Sequence, residues 1–352
     1  MRRSKWDGRS GQVGLDGLAD ALGSIELARF DVALRAVSTA RLPRFLGSTL
    51  RGGLARSTRR VACALRREEC PSCLLRERCA YAYLFETFRP HGSDRLRGQG
   101  QIPHPLVLTV PEPRDEPYGE GEELRFGITL FGRALEYLPH LVVALGDMAA
   151  RGLGRRLHRF EVASVETAPM KGRSQPVFEP GAPLASVQRE SLASHLGRLK
   201  PEDRVTMDLL TPTRLTEDGQ LTCSPGLEVF VRSLAQRALA MLHFHGGLDL
   251  DLDIEGLTAV ARESRVVSSD LRLVRLQRWS SRQRSRVPLD GMVGTIRFEG
   301  EPVRDLWPLL LAGEVIRVGK GTVFGLGRYK VLSDRRRRVR LHEDSTAGGT
   351  RR

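Results

Sequence analysis

Residues 306–331 read LWPLLLAGEVIRVGKGTVFGLGRYKV. The first half is apolar and helix-forming, the last residues have strand character, and between them four glycines fall within positions 319–327, with Lys320 among them. Glycine adopts positive φ freely and lets backbone N–H groups come close to an anion. A nucleotide-phosphate loop would read GxxxxGK[ST] between a strand and a helix, and a dinucleotide fingerprint needs a helix after its glycines. Neither pattern is met. Taken alone, the glycines leave an anion cradle and a structural turn both open. What the stretch decides is an order: helix, glycine loop, closing strand.

Upstream, the same half predicts a strand over 204–211, helices over 226–245 and 257–263, and strands over 265–279 and 291–299. The first half repeats that order without repeating the residues. A strand covers 25–37 and a helix starts near Gly47. Strands follow at 104–110 and 123–131, the second alternating Leu124, Phe126, Ile128 and Leu130 inward. A helix over 135–151 and a strand over 158–167 complete it. The segment APMKGRSQPVFEPGAPLASVQRE (168–190) is rich in Pro, Gly and Ser and marks a boundary. The expected fold is α+β, with two tandem ferredoxin-like (RRM-like) domains at 25–168 and 204–333. A disordered arm (1–24), a linker (169–203) and a basic tail (334–352) complete the organisation.

The net charge is +14 at pH 7, and five of the 56 basic residues are lysines, leaving 51 arginines. GC-rich codon usage would account for part of that bias. Even so, so positive a chain favours a polyanionic partner, and arginine suits bidentate phosphate contact and stacking on bases. Nucleic acid is the expected partner. No segment approaches the roughly 20 apolar residues that cross a bilayer, and the charged start has no apolar run of a secretory signal. A cytoplasmic location is expected, with no membrane partner.

The helix from Gly47 places Leu50, Leu54, Val61 and Leu65 on one side and Arg51, Arg56, Arg59, Arg60, Arg66 and Arg67 on the other. With no acid among them, those arginines read as an anion-facing surface. Cys63, Cys70, Cys73 and Cys79 follow within 17 residues. Four thiolates so spaced suit a structural zinc, or an iron–sulfur cluster, in a Cys-rich insertion (63–79). Four unconnected small side chains are the alternative. Such a closed site would pin a loop rather than catalyse.

Further on, RWSSRQRSRVPLDGMVGTIRFEG (278–300) precedes the glycine loop. With LPRFLGSTLRGGLARSTRRV (42–61), these stretches resemble the CRISPR-associated RAMP endoribonucleases that process precursor CRISPR RNA. The resemblance spans most of residues 25–333 and is strongest over 278–331. It implies two RAMP-type ferredoxin-like domains, CRISPR repeat RNA as partner, and RNA contact by the loop at Gly319, Lys320, Gly321, Gly325 and Gly327, with Arg51, Arg59 and Arg282 on the phosphates. It also implies cleavage without a catalytic metal. The 2′-hydroxyl attacks the adjacent phosphate, leaving a 2′,3′-cyclic phosphate and a 5′-hydroxyl. Other CRISPR effector subunits are further implied partners, and a non-catalytic RAMP subunit holding guide RNA is the alternative.

Many members place a histidine on or near the first helix, but 47–67 holds none. His245 shares the apolar face of Leu227, Phe230, Val231 and Leu234 and ends its helix, so it is the candidate general acid or base, with a buried capping histidine as the alternative. His91 and His104 flank a Gly-rich loop and come next. Tyr81 and Tyr83 are placed to stack on a base or to pack.

Overall fold

The computed structural model describes residues 12–66, 69–90, 96, 102–280 and 285–332. Arg67, His91, Arg282 and the tail from 333 lie outside the described residues.

In the first half, β1 (Glu26–Ala36), β2 (Leu106–Thr109), β3 (Glu123–Phe131), β4 (Phe160–Thr167) and β5 (Pro176–Phe178) form a sheet in the order β2-β3-β1-β4-β5, every pair antiparallel. A two-residue strand, β6 (Glu190–Ser191), pairs with the start of β1. Alternation sets the faces. Phe30, Val32 and Leu34 of β1 and Leu124, Phe126, Ile128 and Leu130 of β3 are buried in one core. Leu50 and Leu54 of α2 (Gly47–Ala62) and Leu141, Leu145 and Met148 of α3 (Leu138–Arg151) complete it.

In the second half, β7 (Arg204–Thr213), β8 (Arg265–Val274), β11 (Gly291–Glu299) and β12 (Tyr329–Leu332) pair antiparallel in the order β8-β11-β7-β12. Between β8 and β11 a hairpin stands apart, β9 (Gln277–Ser280) with β10 (Ser285–Pro288). The expected single strand over 265–279 is thus two strands in two sheets. Helices α4 (Leu227–Phe244), α5 (Ile254–Arg262) and α6 (Trp307–Ile316) carry the second core.

Two expectations about the connecting segments need correction. The arm assigned to 1–24 contains a helix, α1 (Leu15–Gly23), whose Leu18 and Leu22 are fully buried in the second core. The linker assigned to 169–203 is not a free spacer. It supplies β5 and β6 to the first sheet and buries Leu192 in the second core. The two halves also trade residues. Val107 and Phe131, on the far face of the first sheet, join the second core, while Val323 of the glycine loop joins the first.

Candidate nucleic-acid interface

The glycine loop is a bolt between the halves. Its Phe324 carbonyl oxygen lies against Gly47, so close that any Cβ there would run into it. Gly325 has φ +84°, and a Cβ at that position would sit 2.9 Å from Val110 and 3.3 Å from the Leu108 carbonyl oxygen. Only glycine meets both the positive φ and the close approach to β2. Gly319 and Gly321 have φ of +76° and +80°, and Gly327 has +70°. The Gly319 N–H donates to Ser233 Oγ (3.1 Å), and the Lys320 N–H donates to the Arg214 carbonyl (3.0 Å). Gly319 and Lys320 therefore spend their backbone donors on protein. Lys320 itself is exposed, which leaves its ammonium free to meet an anion.

Around this bolt, cations and rings alternate. The Arg278 guanidinium lies 4.7 Å from the centroid of Phe324, and Arg51 lies 5.7 Å from the same ring. Arg51 also lies 5.6 Å from Phe85, to whose carbonyl it donates (2.9 Å). Tyr81 stacks on Phe85 at 6.0 Å, and Arg59 lies 5.7 Å from Tyr81. Contacts of this kind hold a guanidinium by its face and leave its N–H edges for another partner. The expected single arginine face of α2 is therefore divided. Arg51 turns into the seam between the halves, while Arg56, Arg59 and Arg60 stay outside.

Deeper in the seam the charge is unbalanced. Arg317 is 6% exposed; it donates to the Glu314 carbonyl (3.0 Å) and, across the seam, to Thr109 Oγ1 (2.7 Å). Burial, with the like charges of Arg328, Arg237 and Arg29, lowers its pKa to about 9 against a smaller opposing pull from Glu314. Arg237 on α4 donates Nε to the Ile316 carbonyl, and burial lowers it to about 10. Arg29 and Arg51 are lowered by burial as well. Nitrogens of Arg29, Arg51, Arg237, Arg278 and Arg317 are buried without a hydrogen-bond partner among the described residues. A buried, unmatched N–H costs about 1–3 kcal/mol, more on a charged group. Five such groups come together in one seam, so the free protein carries this cost several times over.

His245 holds the seam rather than facing a substrate. It is 6% exposed. Its Nε2 donates to the Pro103 carbonyl (2.8 Å), so its Nδ1 accepts from the Tyr83 hydroxyl (3.0 Å). Burial outweighs the Pro103 bond and holds its pKa near 4. His104, hydrogen-bonded to Thr87, is held near 3 by burial and by Arg51, Arg237 and His245. Both imidazoles are neutral with ring nitrogens engaged. This placement matches the capping alternative and offers no exposed base.

The four cysteines are free thiols, all half-buried. Cys70 lies within electrostatic reach of Cys63 and Cys79, and Arg59 within reach of Cys63 and Cys70. Yet among the described residues no group of three or more His, Cys, Asp or Glu is arranged to hold a metal ion. The donor set is present, without such a grouping. Sequence reasoning missed Arg29, Arg237, Arg278, Arg317 and Phe324. Arg237 carried a signal: it stands in the apolar stripe between Leu234 and Met241, at helical spacing.

Comparison with known proteins fits this geometry. A family model described as an N-terminal domain matches residues 25–192. The model of the CRISPR-associated endoribonuclease Cas6 matches residues 207–329, a span that holds the hairpin and the glycine loop. An uncharacterised protein of Archaeoglobus fulgidus is 26% identical over 297 residues, 83% of this chain and 93% of that protein. Among solved structures, a Cas6 product complex superposes with a TM-score of 0.53 at 18% identity, covering 87% of this chain and 100% of that one. Thermus thermophilus Cas6 gives 0.50 at 17% identity, over 88% and 99%. A partial Cas6-RT-Cas1–Cas2 complex gives 0.52 at 13%, over 88% of this chain and 46% of that chain. At these identities the structural likeness is one of fold. Among the described residues no helix is long and apolar enough to cross a membrane. The second half of the chain is thus similar to the CRISPR-associated endoribonuclease Cas6, on a fold shared with solved Cas6 structures.

Proposed function

We propose that the protein binds CRISPR repeat RNA in the seam between two tandem ferredoxin-like domains and cuts precursor transcripts into guide RNAs in the cytoplasm, without a catalytic metal. The two strand orders, β2-β3-β1-β4 and β8-β11-β7-β12, each follow the order of that fold and support the domain reading. The observation that carries the RNA reading is the set of five arginines with unpartnered buried N–H groups in the seam.

In the reaction, the ribose 2′-oxygen attacks the adjacent phosphorus as the bond to the 5′-oxygen breaks. The products are a 2′,3′-cyclic phosphate and a 5′-hydroxyl. Arg51 and Arg278, held by the faces of Phe324 and Phe85, would hold the phosphate in line and offset the charge of the phosphorane. Lys320 would contact a neighbouring phosphate. Incubating the protein with labelled repeat RNA in EDTA tests the reading: one cut is expected, blocked by a 2′-deoxy sugar immediately upstream.

A second reading, a RAMP subunit that holds guide RNA without cutting it, is favoured by one observation. His245 is buried, His104 half-buried, both are neutral, and α2 has no histidine. Binding without any cut in the same assay selects it. A structural zinc or iron–sulfur site at Cys63, Cys70, Cys73 and Cys79 stays a separate proposal, supported by the spacing and opposed by the arrangement. Elemental analysis of protein purified without added metal decides it.

A further inference from the structure

The outer end of α2 opens into a groove of about 540 Å³ lined by Arg56, Arg59, Arg60, Arg66, Arg151 and Asp147, with Val61 and Cys63 at its floor. Five arginines face one carboxylate. Burial alone would raise Asp147, but hydrogen bonds from Arg60, Arg151 and Ser57 pull its carboxyl down to about 2. It is therefore always ionised, and it is consumed by Arg60 and by Arg151 (2.8 Å). Arg56 and Arg66 are exposed and carry no ion pair among the described residues. Arg59 is held over Tyr81. The groove thus sets five arginines against one carboxylate, a net of four positive charges, in a concave wall.

The groove is also continuous with the seam. From Arg278 the order runs Phe324, Arg51, Phe85, Tyr81, Arg59, each cation over a ring and the two rings of Phe85 and Tyr81 stacked. Arg51 and Arg59 are eight residues apart on one helix, about 12 Å along its axis. A chain of phosphates leaving the seam at Arg51 would meet the groove next.

We propose that this groove binds the phosphodiester backbone of the same RNA, on the flank that leaves the seam. The proposal rests on the RNA-binding reading above. Phosphates repeated along a strand match separated point charges in a groove, and arginine edges take them bidentately. No base-specific contact is required, so the groove adds affinity and register, not sequence choice.

The test uses the full chain and a labelled repeat RNA with natural flanks on both sides. In the double variant Arg56→Gln, Arg66→Gln, the slope of log affinity against log salt should flatten by about 1.4 units for two lost phosphate contacts on a single strand. A hydroxyl-radical footprint should shrink at one end only. The pair Arg56→Lys, Arg66→Lys should restore most of the slope. An unchanged slope with a complete footprint overturns the proposal, as does protection lost evenly along the RNA. If the unmodified protein gives no footprint at all, the RNA reading falls first and the groove falls with it.

Discussion

Helices α2 and α4 each follow the first strand of their sheet, and they do opposite work. α4 is mostly apolar. Ten of its residues are buried, and Leu227, Phe230, Val231, Leu234 and Ala238 anchor the second core. α2 buries a narrow strip built on Leu50 and Leu54 and thins itself with Gly53, where Met148 sits against the backbone. Its other positions carry arginines into the seam and the groove. One position in the two strand orders has become scaffold, its counterpart a helix lined with arginines. One cation of α4, Arg237, comes close to the same seam that Arg51 reaches from α2.

The difference can be broken most severely where the two halves are bolted. Gly325→Val adds a branched side chain at φ +84° against Val110 and Leu108. It should destabilise the protein by on the order of 3 kcal/mol or more and abolish RNA binding with it. Chemical denaturation and a binding titration on the same sample check both.

Next comes Leu234→Ala in α4, fully buried. A cost of about 2–5 kcal/mol is expected from the lost burial and the cavity. The salt dependence of RNA binding should stay as it was in whatever fraction remains folded. A changed slope would mean that α4 is more than scaffold.

Acid sharpens the account of the seam. His245 and His104 are held near 4 and near 3, below the 6.5 of an unfolded histidine. Between pH 6.5 and 4 the unfolded chain takes up protons that the folded chain refuses, so stability is full above pH 6.5 and falls as pH drops through that window. The His245→Asn variant should lose stability at neutral pH and show a shallower acid slope, measured by denaturation at pH 7 and pH 4.5. Unchanged acid dependence would contradict the buried neutral placement.

The smallest effect belongs to the exposed member of the loop. Lys320→Ala should leave stability within about 0.5 kcal/mol and flatten the salt slope by roughly one unit. An unchanged slope would reduce the loop to a structural bolt.

How much of this could be read from the sequence follows from which forces are local. The alternation of Leu124, Phe126, Ile128 and Leu130 and the strip of Leu50 and Leu54 are local patterns, and the strands and helices they predict are present. The glycine loop was legible as a feature, while its docking on Gly47 and Val110 depends on residues hundreds of positions away. α1 was missed because Leu18 and Leu22 find their core in the distant second half, so nothing nearby explains why the segment folds. Cysteine spacing was visible as well. Thiol directions depend on the turn geometry of 69–79, which spacing does not encode. Least legible was the seam itself. Arginine reads as surface, and only assembly of both halves reveals that Arg237 and Arg317 are enclosed, with more cations than carboxylates around them.

That enclosure gives the most direct test. Arg237 is enclosed in the seam with Nη2 unpartnered among the described residues. An uncompensated buried charge costs folding energy that only an anion offsets, so replacing it with an apolar group of similar length relieves the free protein and harms the complex. For Arg237→Met, the thermal midpoint without RNA should be unchanged or higher, while affinity for repeat RNA falls by about tenfold or more. A lower midpoint with undiminished affinity would show that Arg237 is an ordinary structural residue and that the seam is not where RNA binds.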